Sequence, residues 1–111
     1  NLLEKKEQYE EAIANGDRLL DLNNNQAEVW CKRGYLLAVL KQYEEALKAY
    51  ERALSLEPNS PDIWRARGAI LAELKRYQEA VGAFNKAMQV QDQSFRSDRK
   101  VMQVSGANQS T

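Results

Sequence analysis

Residues 27–60, AEVWCKRGYLLAVLKQYEEALKAYERALSLEPNS, are followed without a gap by a second version of themselves, residues 61–94, PDIWRARGAILAELKRYQEAVGAFNKAMQVQDQS. Identical residues recur every 34 positions at Trp30/Trp64, Arg33/Arg67, Gly34/Gly68, Leu37/Leu71, Tyr43/Tyr77, Ala46/Ala80 and Ala53/Ala87. Tyr50/Phe84 and Leu54/Met88 change only in shape. A fixed period of this size marks a repeat architecture, in which each unit buries an apolar face against the next. Residues 1–26 form a truncated copy: Leu2, Leu3, Tyr9, Ala12 and Leu20 align with Leu36, Leu37, Tyr43, Ala46 and Leu54. This copy has the end of a first half-unit and the whole of a second. Gly16 stands there in the place of Tyr50 and Phe84, and Leu19 in the place of Ala53 and Ala87. The exchange of large for small, reversed one turn later, predicts volume compensation at a single contact.

Inside each unit the apolar residues fall at helical spacing, Trp30, Gly34, Leu37 and Ala38 in the first half and Ala46, Ala49, Tyr50 and Ala53 in the second. Two amphipathic helices per unit, and an all-α chain, are therefore expected. Asn25 with Glu28 three residues on, and Ser60 with Pro61, read as helix starts; Pro58 and Asn59 end the preceding helix. Gly34 and Gly68 are predicted mid-helix, where glycine costs about 0.5–1 kcal/mol relative to alanine, so a close helix approach is expected there. The predicted core is Trp30, Gly34, Tyr43, Ala46, Tyr50 and Ala53, with Trp64, Gly68, Tyr77, Ala80, Phe84 and Ala87 in the next unit. After Ser94 the pattern stops. Arg99 to Val104 is expected to form a short capping helix whose Val101 and Met102 cover the last unit, with a disordered polar tail from Ser105.

The domain division is thus 1–26, 27–60, 61–94 and 95–111. The 111-residue chain has 16 basic and 16 acidic residues, so no net field draws it to nucleic acid or an anionic membrane. One cysteine, Cys31, and no histidine leave neither an internal disulfide nor a zinc site. No cofactor and no metal are expected, and the free thiol fits a reducing, cytoplasmic setting. No apolar run reaches membrane-spanning length, and the opening NLLEKKEQ lacks the form of a secretory signal. The start at Asn1 rather than Met suggests a piece of a longer protein.

Trp30-x2-Arg33-Gly34-x2-Leu37, Ala46-x3-Tyr50, Ala53 and Pro58, repeated as Trp64-x2-Arg67-Gly68-x2-Leu71, Ala80-x3-Phe84 and Ala87, resemble the tetratricopeptide repeat, a 34-residue helix-turn-helix unit. The resemblance covers roughly residues 2–94. Departures are Arg33 and Arg67 at the usual Leu, Leu37 and Leu71 at the usual Tyr, and Asp92 in the place of Pro58. The arginines are expected to lay their stems along the surface with the heads in water, and Asp92 suggests that the last helix runs past Gln91. The fold implied is antiparallel helix-turn-helix repeats stacked as a short right-handed α-solenoid.

The resemblance also implies a concave groove lined by first-helix residues: Glu28, Cys31, Lys32, Tyr35, Ala38 and Val39, then Asp62, Arg65, Ala66, Ala69, Ala72 and Glu73. Steps of three and four keep each set on one helix face. The function expected is a protein-interaction scaffold that holds a peptide or helix of a partner, with Tyr35 as anchor and Lys32 and Arg65 as donors. Family members that clamp a chaperone carboxylate use Lys and Asn where Cys31 and Tyr35 stand and Asn where Ala66 stands, so that clamp is not expected. A second reading is homo-oligomerisation through the truncated N-terminal end or the tail. RNA binding needs a basic stripe, and Lys32 and Arg65 are outnumbered by Glu28, Asp62 and Glu73. Without histidine no Ser/His/Asp or Cys/His site exists, and Glu10-Glu11 and Glu44-Glu45 read as helix-start acids rather than catalytic pairs. An enzymatic role is not expected.

Overall fold

Alternation of apolar periodicity with short breaks gives five helices in the computed structural model, which describes residues 2–23 and 25–109, with side chains described as far as residue 93. They are α1 (Leu2–Leu22), α2 (Ala27–Val39), α3 (Tyr43–Leu56), α4 (Pro61–Glu73) and α5 (Tyr77–Gln109). Each packs principally on its neighbours in sequence, and the stack extends 66 × 34 × 26 Å. The core centres on α3, whose Ala46, Leu47, Ala49, Tyr50, Ala53 and Leu54 are all buried between α2 and α4.

The two turns within units are built alike. α2 ends with Lys41 N–H donating to Ala38 C=O (2.9 Å) and Gln42 N–H to Leu37 C=O (2.8 Å); α4 ends with Lys75 on Ala72 (3.0 Å) and Arg76 on Leu71 (2.9 Å). This is the Schellman pattern, which needs a left-handed residue. Lys41 (φ 63°) and Lys75 (φ 62°) supply it, at a cost of about 1–2 kcal/mol each for a residue with a Cβ. Between units, the Trp64 indole N–H donates to Pro58 C=O at 2.8 Å and fixes the turn into α4.

Two predicted helix starts are adjusted. α2 is capped by Gln26, not Asn25, and no side-chain cap bond forms. The Gln26 amide instead donates backward to Asn23 C=O (2.9 Å) and Leu19 C=O (3.3 Å), satisfying carbonyls at the end of α1. Ser60 is the cap of α4 with Pro61 in the first turn, but its hydroxyl makes no cap bond either.

Gly34 and Gly68 allow the approach expected of them. A Cβ on Gly34 would lie 2.8–2.9 Å from three Tyr50 ring carbons, and one on Gly68 2.9–3.0 Å from three of Phe84. Neither glycine has a positive φ, so the requirement is space alone. The arginines also have partners: Arg33 pairs with Asp17, and Arg67 with Glu51 at 3.2 Å, so an acid on each second helix holds the arginine of the next first helix. Asp17 and Glu51 are themselves one period apart.

Both ends depart from the repeat. α1 is continuous through Glu7, the counterpart of Lys41 and Lys75, with no left-handed residue there. Leu2 and Leu3 are 86% and 69% exposed, whereas Leu36 and Leu37 are buried. α5 likewise runs on past Asp92 to Gln109 as one helix, with no proline at the counterparts of Pro58 and Pro61, in place of a separate short helix and an unstructured tail. Cover of the last unit by Val101 and Met102 lies outside the described side chains.

Two predicted core residues are corrected by this straight α5. Tyr77 is 61% exposed and Phe84 38%, although Tyr50 in the same place is buried. α4 covers that face of α3, while no described helix covers it on α5, so Val81 and Met88 are bare as well. The compensation expected at Gly16 is also not realised. Leu19 is half exposed, the nearest atom to a Cβ on Gly16 is a Val29 methyl at 3.8 Å, and an open cleft of about 320 Å³ remains between α1 and α2.

The difference between the two aromatic contacts is measurable. Gly34→Ala should lower stability in urea unfolding by about 1–2 kcal/mol, overpacking against enclosed Tyr50 exceeding the gain in helix propensity. Gly68→Ala should stay within about 0.5 kcal/mol of wild type, because Phe84 can swing into solvent. Equal losses would contradict the packing described.

Candidate protein-interaction groove

The predicted groove residues occupy equivalent faces of α2 and α4, and all are exposed or half-buried. Glu28, Lys32, Tyr35 and Val39 are exposed on α2, with Cys31 and Ala38 partly covered; on α4, Asp62, Arg65, Ala69 and Glu73 are exposed, with Ala66 and Ala72 partly covered. Tyr35, at 55% exposure, and Val39, at 39%, are large apolar groups left open to solvent on α2. Lys32 also borders the α1–α2 cleft.

The fifth place of each unit sits between the second place of the same helix and a residue of the next stretch of chain, Glu57 after α3 or Gln91 within α5, and the two units fill it differently. In the second full unit Arg65 pairs with Asp62 and donates to Gln91 at 3.1 Å. In the first, Cys31 occupies the place of Arg65, Glu28 that of Asp62 and Glu57 that of Gln91. The Cys31 thiol is held above its ordinary value first by burial and then by the negative charges of Glu57 and Glu28. One unit thus carries a guanidinium satisfied within the chain; the other carries two carboxylates around a neutral thiol. Glu57, the C-cap of α3, and Gln91, inside α5, are not first-helix residues and escaped the sequence reading, although their spacing of one period marks them.

Tyr50 links this spot to the core. Burial foremost, then Cys31 and Tyr35, push its phenol up to about 12. Among the described residues no cluster of three or more acidic or thiol groups is arranged to hold a metal ion, and no helix is long and apolar enough to cross a membrane.

Two models of the tetratricopeptide repeat match the chain, over residues 3–70 and 37–104. The chain belongs to the tetratricopeptide repeat family. Solved structures of MamA share its fold. MamA MSR-1 is 25% identical with a TM-score of 0.75, covering 78% of this chain and 50% of its own. A second MamA structure is 24% identical with a TM-score of 0.78, covering 80% and 52%, and MamA AMB-1 is 26% identical with a TM-score of 0.71, covering 75% and 49%. The chain therefore spans about half the length of these MamA proteins. None of the curated proteins matches it. Within the family the five helices form the all-α solenoid of stacked helical hairpins, with α2 and α4 in the role of first helices.

The raised phenol of Tyr50 sets a pH dependence. The folded value lies above the unfolded value of 10.0, so the native state holds the proton more tightly, and its contribution is intact below pH 10 and lost as the pH rises toward about 12. Tyr50→Phe, which copies Phe84, should abolish that part of the alkaline loss. Parallel stability curves for the two proteins in urea titrations between pH 9 and pH 12 would contradict it.

Proposed function

We propose that the chain is a protein-interaction scaffold whose α2–α4 face receives a peptide or helix of a partner carrying a basic side chain beside an apolar one. The contrast at the fifth place carries this reading. In the second full unit Arg65 fills the space between Asp62 and Gln91, whereas in the first the equivalent space is bounded by Glu28 and Glu57, with Cys31 and no cation between them among the described residues. A partner's Lys or Arg takes the role of Arg65 there, forming charge-assisted contacts with both carboxylates. Tyr35 and Val39 supply the adjacent apolar anchor, and the small residues Ala66 and Ala69 leave room on α4. Arg65, already paired, acts as a fixed part of the wall rather than as a donor in waiting. With no histidine and balanced charge the reading remains non-catalytic and directed to protein rather than nucleic acid.

A second reading, self-assembly, is favoured by the α1–α2 cleft and by the exposed stripe of Tyr77, Val81, Phe84 and Met88 on α5. Contiguous exposed apolar surface of this kind marks interaction sites.

The groove reading is tested with binders selected from a randomised peptide library. They should be enriched in Lys or Arg next to an aliphatic residue. Cys31→Arg, which fills the spot internally, and Tyr35→Ala should each weaken binding roughly tenfold or more without changing helicity. Binders without basic residues, or affinity unaffected by Cys31→Arg, would overturn it.

A further inference from the structure

On α5, Tyr77, Val81, Phe84 and Met88 stand open to solvent at steps of four, three and four, so they form one line along the helix. The surface beside that line differs from its counterpart on α3. Gln78, Gly82, Asn85 and Gln89, all exposed, stand where α3 has Glu44, Lys48, Glu51 and Ser55. Charge is thus removed from the flank, and a Cβ on Gly82 would meet nothing within 4 Å. Loss of charge around exposed aromatic and methionine side chains marks the core of an interface. The acid series along the stack also ends here. Asp17 holds Arg33 and Glu51 holds Arg67, whereas the third place is Asn85. This face therefore lacks the carboxylate that receives an arginine-bearing first helix, and suits a neutral, apolar occupant instead.

We propose that the occupant is α5 of a second copy, running antiparallel across a two-fold axis between Gly82 and Ala83. The inference rests on the self-assembly reading and names the surface and symmetry that carry it. A line spaced four, three, four reads the same in both directions. Centred on that axis, Tyr77 lies opposite Met88 of the second copy and Val81 opposite its Phe84, and each contact occurs twice. Each aromatic ring then meets an aliphatic or thioether chain, a favourable pairing. On the flank, Gln78 comes beside Asn85 of the second copy, where amides can exchange hydrogen bonds and no like charges are brought together. α5 runs straight to Gln109, carrying the chain along the helix axis rather than back over the stripe. The contact is isologous and closes as a dimer. Four large side chains per copy place it at the small end of specific interfaces, with a dissociation constant of about 10–100 µM.

Sedimentation equilibrium of the 111-residue chain from about 5 to about 500 µM is the test, with circular dichroism confirming helicity for each protein. The wild type should fit a monomer–dimer equilibrium. Tyr77→Glu and Met88→Lys, both at exposed positions, should each weaken dimerisation roughly tenfold or more. The double variant sets opposite charges against each other across the two-fold axis, and should recover dimerisation to within about threefold of wild type. A parallel pair would set each residue against its own copy, like charge against like, and would stay broken. Association that ignores both single substitutions, a double variant no better than the singles, or growth beyond a dimer overturns this pairing while leaving self-assembly by another surface. A wild type that stays monomeric throughout overturns both, and leaves the groove reading untouched.

Discussion

The closeness of two helices in each unit depends on a glycine that has no side chain where an aromatic ring needs to be. Gly34 and Gly68 bring the backbone of the first helix to the rings of Tyr50 and Phe84. Ala46, Ala53, Ala80 and Ala87 keep the rest of the interface equally thin. With that distance set, Leu37 and Leu71 are buried, the left-handed turns at Lys41 and Lys75 close the hairpins, and Asp17 and Glu51 reach the arginines of the next helix. The candidate groove residues are then held on the exposed face of the same first helices, spaced by the period. The proposed interaction surface and the packing surface are two sides of one helix, so substitutions on the exposed side can vary without disturbing the stack.

The ends of the chain behave as this account requires. α1 runs straight through Glu7, without the left-handed turn of Lys41 and Lys75, and α5, with no proline at the counterparts of Pro58 and Pro61, runs straight as well. Apolar residues that are buried in the middle unit, Leu36, Leu47 and Leu54, have counterparts at Leu2, Val81 and Met88 that stand open. Stability in repeat proteins comes from neighbours.

Much of the fold was legible because a 34-residue period is a redundant signal: each inference about Trp30, Gly34 or Ala46 is made again at Trp64, Gly68 or Ala80. What escaped depends on the end of the period. Tyr77 and Phe84 match the partly buried Tyr43 and the buried Tyr50, and their exposure follows from the absence of a covering helix among the described residues, not from their own chemistry. The cap at Gln26 was hidden because its side chain works backward on α1 rather than forward on α2. The candidate groove residues come from family resemblance, whereas the proximity of Glu57 to Cys31 and of Gln91 to Arg65 emerges only when antiparallel helices are packed together. Gly16 was noticed as an exchange, and the structure reveals an open cleft where compensation had been expected.

The most direct measurement of the central contact is the proton chemical shift of Gly16, Gly34 and Gly68, one glycine from each of α1, α2 and α4. The Gly34 and Gly68 positions each lie against three neighbouring carbons of an aromatic ring, whereas Gly16 faces only a Val29 methyl. The account predicts strong upfield ring-current shifts for the Gly34 and Gly68 α-protons, lost in Tyr50→Leu and Phe84→Leu respectively, and an ordinary shift for Gly16. Ordinary shifts at Gly34 and Gly68 would contradict the glycine–aromatic contact on which the rest of the structure depends.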